Sequence, residues 1–148
     1  MTQNQKAFLD MISVSEGTYG HGDNGYNVLV GGALFYSYAD HPRTLVKVRE
    51  GLFSTAAGRY QLLSRYYDAY KRLLKLNDFS PESQDAIALQ QIKECKAIDD
   101  IEEGRFDLAV SKCAHIWASL PGAGYGQHEN KIEKLRAAYI KAGGIIAT

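Results

Sequence analysis

The sequence predicts an α+β fold, with a mostly helical body, a small β-hairpin lobe and a cleft between them. Apolar residues recur at helical spacing near the amino terminus and through the second half of the chain. A glycine pair flanked by β-branched and aromatic residues, Gly31-Gly32, indicates a hairpin in the first half. No internal repeat or linker interrupts the 148 residues, so residues 1–148 are predicted to form a single domain.

The first predicted helix covers residues 4–15 and ends beside a carboxylate. Phe8, Ile12 and Glu16 are spaced four apart, and side chains with that spacing share one face of a helix. Gly17 follows where a helix C-cap is expected. A carboxyl at the end of a buried stripe loses water, which raises its pKa and suits it to general acid catalysis. A solvated glutamate at a helix end is the alternative interpretation.

The hairpin and the later helices follow from turn signals and periodicity. Residues 19–25 predict a loop, residues 26–30 and 33–36 two strands, and residues 43–57 irregular structure. An N-cap serine before a proline marks the start of one helix near residue 80. The predicted later helices are residues 58–76, residues 80 to about 95, residues 99–103, residues 106–118, and a last helix with the stripe Ile132, Leu135, Tyr139 and Ala142.

The composition is that of an ordinary globular chain without net charge. Hydrophobic residues make up 45% of the chain, and 17 basic residues balance 17 acidic ones. This balance provides no basic surface for nucleic acid. No apolar run approaches the roughly 20 residues of a membrane span. Without a recognisable secretory signal, the protein is expected to accumulate first in the cytoplasm.

The cysteines and histidines form no recognised metal or redox motif. Cys95 and Cys113 have neither metal-ligand nor redox-pair spacing. Val110, Cys113 and Trp117 share a predicted helix face, which indicates that Cys113 is a small core residue. The four histidines include no HExxH-type pair. No metal or organic cofactor is therefore expected.

Three segments have residue types suited to a sugar ligand: residues 15–17, residues 54–61 and the glycine-rich residues 120–127. Small residues let a backbone approach a ligand, and a tyrosine ring can pack on the C–H face of a sugar. Glutamine and serine side chains can hydrogen-bond to its hydroxyls. For the glycine-rich segment, a flexible connection is an equally good interpretation.

Long stretches of the chain resemble the bacteriophage lambda endolysin family. The resemblance covers about residues 5–144. The segments that carry it are KAFLDM at 6–11, SEGT at 15–18, VGG at 30–32, DHPR at 40–43, AGRYQLLSR at 57–65, DFSP at 78–81 and IWASLPGAGYGQ at 116–127.

This resemblance implies a lysozyme-like fold and a lytic transglycosylase. Such an enzyme cleaves the β-1,4 bond between N-acetylmuramic acid and N-acetylglucosamine in peptidoglycan and leaves a 1,6-anhydro-muramic end. The essential glutamate of the family falls on Glu16. Residues 57–61 are also similar to the Gly-x-x-Gln motif of cellular lytic transglycosylases, and mobile lips are implied before Ser54 and around residues 122–127. The candidate substrate-binding residues are Asn27, Ser54, Tyr60, Gln61, Gly124, Tyr125 and Gln127.

The number of carboxylates separates the alternatives. A transglycosylase can work with Glu16 alone, because the muramic acid C6 hydroxyl replaces water as the nucleophile. A hydrolytic muramidase normally needs two carboxylates, and Asp23 or Asp40 would be the second. Asn27 stands where the resemblance implies an aspartate, and its amide could bind a sugar at most. A wall-binding or lysis-regulating protein without turnover is the third alternative.

The resemblance also implies the partners and the location. Peptidoglycan glycan strands are the expected partner, and the protein is expected to be a monomer. A holin pore would release it from the host cytoplasm to the periplasm and cell wall, and a spanin-type step would complete lysis. The neutral charge departs from the basic endolysin that is implied. Weaker attraction to the anionic wall is therefore expected.

Overall fold

A computed structural model describes residues 1–124 and 128–148. Its helices outnumber the strands of one small antiparallel sheet, which confirms the α+β prediction. The described elements, in chain order, are α1 (Gln3–Glu16), β1 (Val46–Arg49), β2 (Leu52–Ser54), α2 (Ser64–Leu74), α3 (Pro81–Glu94), α4 (Ile98–Glu102), α5 (Phe106–Cys113) and α6 (Ile132–Lys141).

The chain divides into two compact units. Met1–Gly17 and Ala88–Thr148 form one, here called the terminal unit, and Thr18–Ile87 forms the other, the central unit. The single domain over residues 1–148 stays a prediction. None of the described helices is both long and apolar enough to cross a membrane.

The terminal unit is built on the apolar stripe of α1. Phe8 is fully buried, and its ring meets those of Phe106 and Tyr139 edge-on at centroid distances of 6.0 and 6.3 Å. Ile12 and Cys113 are also fully buried, which confirms the predicted stripe and the predicted core role of Cys113. Burial of such side chains is the main favourable term in folding.

The central unit corrects the predicted hairpin. The paired strands are β1 and β2, which lie within the stretch predicted to be irregular. At residues 26–36 the structure has a Gly31-Gly32 turn and a single bridge between Val28 and Leu34. The Val28 carbonyl accepts from the Gly58 N–H at 2.8 Å, so this backbone pairs with the 56–58 segment as well. The Tyr26 and Val28 N–H groups donate to the carbonyls of Asp23 and Gly25 at 3.0 and 3.3 Å, so the backbone before Val28 forms turns and cannot extend the pairing.

Two predicted helices are too long. The periodicity predicts a helix from residue 58, but α2 begins at Ser64. Gly58 and Gln61 have φ angles of +84° and +54°, which a right-handed helix cannot contain. Leu62 instead pairs with Ala57 through two backbone hydrogen bonds of 2.9 and 3.1 Å. The helix predicted over residues 106–118 ends at Cys113.

Candidate active site

Glu16 is the last residue of α1 and lies at the end of the buried stripe that includes Ile12. Gly17 caps the helix in the left-handed conformation, with φ 78° and ψ 16°, and its N–H donates to the carbonyls of Ser13 and Val14. Glycine adopts this conformation at little cost because it has no Cβ. The predicted helix end is confirmed.

Two opposed influences act on the Glu16 carboxyl. Burial disfavours the charged form and raises the pKa of Glu16 from 4.5 to about 7. Ser119 Oγ donates to Glu16 Oε2 at 2.8 Å, and this bond favours the carboxylate and limits the rise. Both protonation states are therefore populated near neutral pH, which suits a group that gives a proton and later accepts one. The alternative of a solvated glutamate does not describe this side chain.

Ser119 belongs to a hydrogen-bonded chain inside the terminal unit. Its hydroxyl lies 2.7 Å from Ser15 Oγ. Asn130 Nδ2 donates to the Ser15 carbonyl at 2.9 Å and to Ser15 Oγ at 3.1 Å. Lys134 Nζ donates to Asn130 Oδ1 at 3.1 Å. Ser15 and Asn130 are 7% and 8% exposed, so the middle of this hydrogen-bonded series is shielded from water.

The central unit holds a second polar cluster, around Asp85. Tyr60 and Tyr26 donate their hydroxyls to Asp85 Oδ1 at 2.6 and 3.0 Å. Arg59 is 3% exposed. Its guanidinium carbon lies over the Tyr26 ring, 5.3 Å from the ring centroid. Burial raises the pKa of Asp85 despite the two hydroxyl donors. Burial and the Asp85 charge raise the pKa of Tyr26 to about 12.

The predicted binding residues within the 54–61 segment lie in the central unit, and their polar groups form hydrogen bonds within the protein. Tyr60 is 5% exposed and bonds to Asp85. Gln61 Nε2 donates to the carbonyls of Val28 and Gly58 at 3.2 and 2.9 Å, which fixes the turn that precedes α2. Ser54 Oγ accepts from the backbone N–H of residue 56 at 3.1 Å. Their roles in binding stay predictions.

Asn27, the remaining predicted binding residue of the central unit, organises the loop before it. Its Oδ1 accepts from the Asp23 N–H at 2.8 Å. Its carbonyl accepts from the Phe35 N–H at 2.9 Å, which ties the loop to the segment after the Gly31-Gly32 turn. The proposed contact with a sugar stays a prediction here as well.

Two described glycines of the glycine-rich segment bond to the same carboxylate. The N–H groups of Gly122 and Gly124 donate to the two oxygens of Glu129 at 3.0 and 3.1 Å, and these bonds lower the pKa of Glu129. Gly124 is a predicted binding residue. The other two in this segment, Tyr125 and Gln127, lie outside the described residues.

The two aspartates considered as a second carboxylate both have partners. Asp23 Oδ2 accepts from the Tyr38 hydroxyl at 2.6 Å. Arg43 Nε donates to Asp40 Oδ2 at 2.9 Å, and the hydrogen bonding with Arg43 lowers the pKa of Asp40. Among residues 1–124 and 128–148, no group of three or more histidine, cysteine, aspartate or glutamate side chains could hold a metal ion.

The sequence did not single out Ser119 or Asn130, and it gave no local signal for them. Ser119 is 103 residues from Glu16, and Asn130 is 115 residues from Ser15. Asp85 was also missed, because its partners Tyr26 and Tyr60 are 59 and 25 residues away and nothing near it in the sequence marks it.

Comparison with known proteins places this chain in a family. A family model described as Endolysin matches residues 6–146. The endolysin of Escherichia phage lambda is 55% identical over 150 residues, spanning 96% of this chain and 92% of the relative. The endolysin of Escherichia phage P2 is 49% identical over 158 residues, spanning 98% of this chain and 96% of the relative. The chain belongs to the endolysin family.

Solved structures confirm the lysozyme-like fold of this endolysin. A structure of bacteriophage lambda lysozyme complexed with a chitohexasaccharide matches with a TM-score of 0.97 at 54% identity, covering 99% of this chain and 98% of the other. A second structure, of lysozyme from bacteriophage lambda, matches with a TM-score of 0.92 at 53% identity and the same coverage. This chain is thus a phage endolysin of the lysozyme type, an enzyme of cell-wall degradation.

Proposed function

We propose that this endolysin is a lytic transglycosylase. It cleaves the β-1,4 bond between N-acetylmuramic acid and N-acetylglucosamine and leaves a 1,6-anhydro-muramic end. The observation that carries the proposal is Glu16, a single carboxyl at the end of α1 that is partly buried and hydrogen-bonded by Ser119. A related structure, at 54% identity, holds a chitohexasaccharide, which supports a glycan chain as the ligand here.

In the first step, Glu16 acts as a general acid. The protonated carboxyl gives its proton to the glycosidic oxygen, the bond from muramic acid C1 to that oxygen breaks, and N-acetylglucosamine leaves with a free hydroxyl. Positive charge develops at C1 in an oxocarbenium-like transition state. Glu16 is now a carboxylate, and the Ser119 hydroxyl stabilises this form through its 2.8 Å bond.

In the second step, the same carboxylate acts as a general base. It takes the proton of the muramic acid C6 hydroxyl, and the C6 oxygen forms a bond to C1 of its own ring. No water is consumed, and Glu16 returns to its protonated state. Because the nucleophile belongs to the substrate, its effective concentration is high. A pKa of about 7 suits both steps at neutral pH.

The candidate binding residues complete the proposal. We expect backbone and amide groups to form hydrogen bonds with the sugar hydroxyls, and tyrosine rings to pack on the C–H faces of the sugars. We propose this role for Asn27, Ser54, Tyr60, Gln61, Gly124, Tyr125 and Gln127.

Mass spectrometry of the muropeptides released from purified peptidoglycan tests the chemistry. Products lighter by one water, without a reducing muramic end, are expected from a transglycosylase. Hydrated, reducible ends would show a hydrolase and contradict the proposal. Glu16→Gln is the matched control, since it is nearly isosteric but cannot supply the proton, and it is expected to bind peptidoglycan without cleaving it.

We also propose that the enzyme works as a monomer and reaches the wall through a holin. Expression of the chain alone in the host is expected to leave the cells intact, and co-expression of a holin is expected to cause rapid lysis. Rapid lysis without the holin would contradict this route.

A further inference from the structure

The hydrogen-bonded chain that reaches Glu16 has a fixed direction, and the direction can be deduced from atom types. An ammonium group only donates, so the atom of Asn130 that faces Lys134 Nζ at 3.1 Å is the amide oxygen. A backbone carbonyl only accepts, so the atom that faces the Ser15 carbonyl at 2.9 Å is the amide nitrogen. These two contacts agree on one orientation of the Asn130 side chain, and together they hold it in place.

The direction continues through the two serines. Asn130 Nδ2 also donates to Ser15 Oγ at 3.1 Å, so the Ser15 hydroxyl accepts there and its own hydrogen is available for Ser119 at 2.7 Å. Ser119 has one hydroxyl hydrogen, and it points to Glu16 Oε2 at 2.8 Å. Every donor in the series from Lys134 to Glu16 therefore points towards the carboxyl.

Reversal of this series would disrupt several contacts. If Glu16 Oε2 carried a proton and donated it to Ser119, Ser119 would have to donate to Ser15. The Ser15 hydroxyl would then accept from both Ser119 and Asn130 and need a new acceptor for its own hydrogen. The shielded positions of Ser15 and Asn130, 7% and 8% exposed, make water a poor substitute.

We propose that Ser15, Asn130 and Lys134 are positioning residues, which hold the Ser119 hydroxyl towards Glu16 so that Oε2 remains an acceptor and Oε1 carries the proton given to the substrate. This proposal rests on the proposed function of Glu16 as the acid. It assigns Lys134, an exposed residue of α6, a part in catalysis through four successive hydrogen bonds.

A double-mutant cycle on the intact enzyme tests the proposal. The pKa of Glu16 is followed by carboxyl ¹³C NMR, with the resonance assigned by Glu16→Gln, and by the basic limb of the pH profile of kcat/KM. Ser119→Ala is expected to raise the pKa of Glu16 by about one unit in both measurements, because the carboxylate loses one hydrogen bond. Lys134→Met is expected to raise both pKa values by a smaller amount, at most about 0.3 unit, because cooperativity along such a series is roughly 10–30% per bond and weakens with each further bond.

The controls separate the chain from general charge effects. Lys134→Arg retains a cationic donor, so Glu16 in this variant is expected to titrate as it does in the parent. Lys141→Met removes an exposed charge from the same helix and is expected to have no effect. In the Ser119→Ala background, Lys134→Met is expected to cause no further shift, because the route to Glu16 is already broken.

Two results would overturn the positioning role: an unchanged Glu16 titration in Lys134→Met, or an equal shift with and without Ser119. The second would show that Lys134 acts through space by its charge. Failure of the proposed acid role of Glu16 has a different signature, since Glu16→Gln would then cleave peptidoglycan as well as the parent. The NMR titration gives an answer even for variants that have lost activity.

Discussion

The Glu16 carboxyl shows how one residue acquires a pKa suited to its chemistry. Burial raises its pKa to about 7, and the Ser119 hydroxyl limits that rise by stabilising the carboxylate. A group balanced in this way is a better two-way proton carrier than a solvated glutamate, whose pKa of about 4.3 leaves it ionised at neutral pH.

Glu16→Gln is expected to stabilise the fold at pH 8. Because the folded-state pKa of Glu16 is raised from 4.5 to about 7, the folded protein loses stability as pH rises through this window. Glutamine has no charge to bury, so the variant avoids a loss of up to about 3 kcal/mol. Urea unfolding of the parent and the variant at pH 4 and pH 8 measures the free energies. A difference that is the same at both pH values would contradict this explanation.

At the scale of elements, the turn before α2 depends on close packing around a glycine. Gly58 has a φ of +84°, and a Cβ built there would collide with the Gln84 side chain and lie 2.9 Å from Phe79 Cζ. Gln84 has little freedom to move, since its Oε1 accepts from the Arg59 N–H at 2.9 Å and its Nε2 donates to the Tyr26 carbonyl at 3.0 Å.

Gly58→Ala is therefore expected to destabilise the protein by about 3 kcal/mol, which combines an unfavourable φ with overpacking. Gly51→Ala is the matched control, because Gly51 also has a positive φ of +76° but nothing lies within 4 Å of an added Cβ. Its cost is expected to be about 1 kcal/mol. Urea unfolding compares the two, and equal losses of stability would show that the contact with Gln84 is unimportant.

At the scale of the whole molecule, the balance of 17 basic and 17 acidic residues sets how the enzyme approaches its substrate. A neutral protein has no net attraction to an anionic wall, and salt screens only the local charges that remain. Binding then depends on local geometry rather than on a long-range field.

Lytic activity is expected to fall only slightly as NaCl rises from about 20 to about 300 mM, a range over which screening becomes strong. Glu103→Lys combined with Glu133→Lys adds two charge units at each position and raises the formal net charge from 0 to +4. This variant is expected to lose activity more steeply with salt. Initial rates of turbidity loss measure both, and a steep loss in the parent would contradict the expectation.

Features that depend on near neighbours could be predicted from the sequence alone. The helix end at Glu16 and Gly17 and the buried positions of Ile12 and Cys113 follow from spacing and capping, which are local properties of a chain. The start of α3 at Pro81 follows from the same local chemistry. Matching segments along most of the chain indicated the endolysin family, which the comparisons confirm.

Tertiary structure alone decided which backbone segments pair and what surrounds Glu16. The hairpin lies at β1 and β2 rather than around Gly31-Gly32, and the backbone near Val28 bonds to the segment around Gly58 as well as to the one after Gly31-Gly32. Ser119 comes from 103 residues away to meet Glu16. Periodicity and capping report on a few neighbouring residues, whereas strand pairing and the solvation of a carboxyl depend on contacts made after long loops have closed.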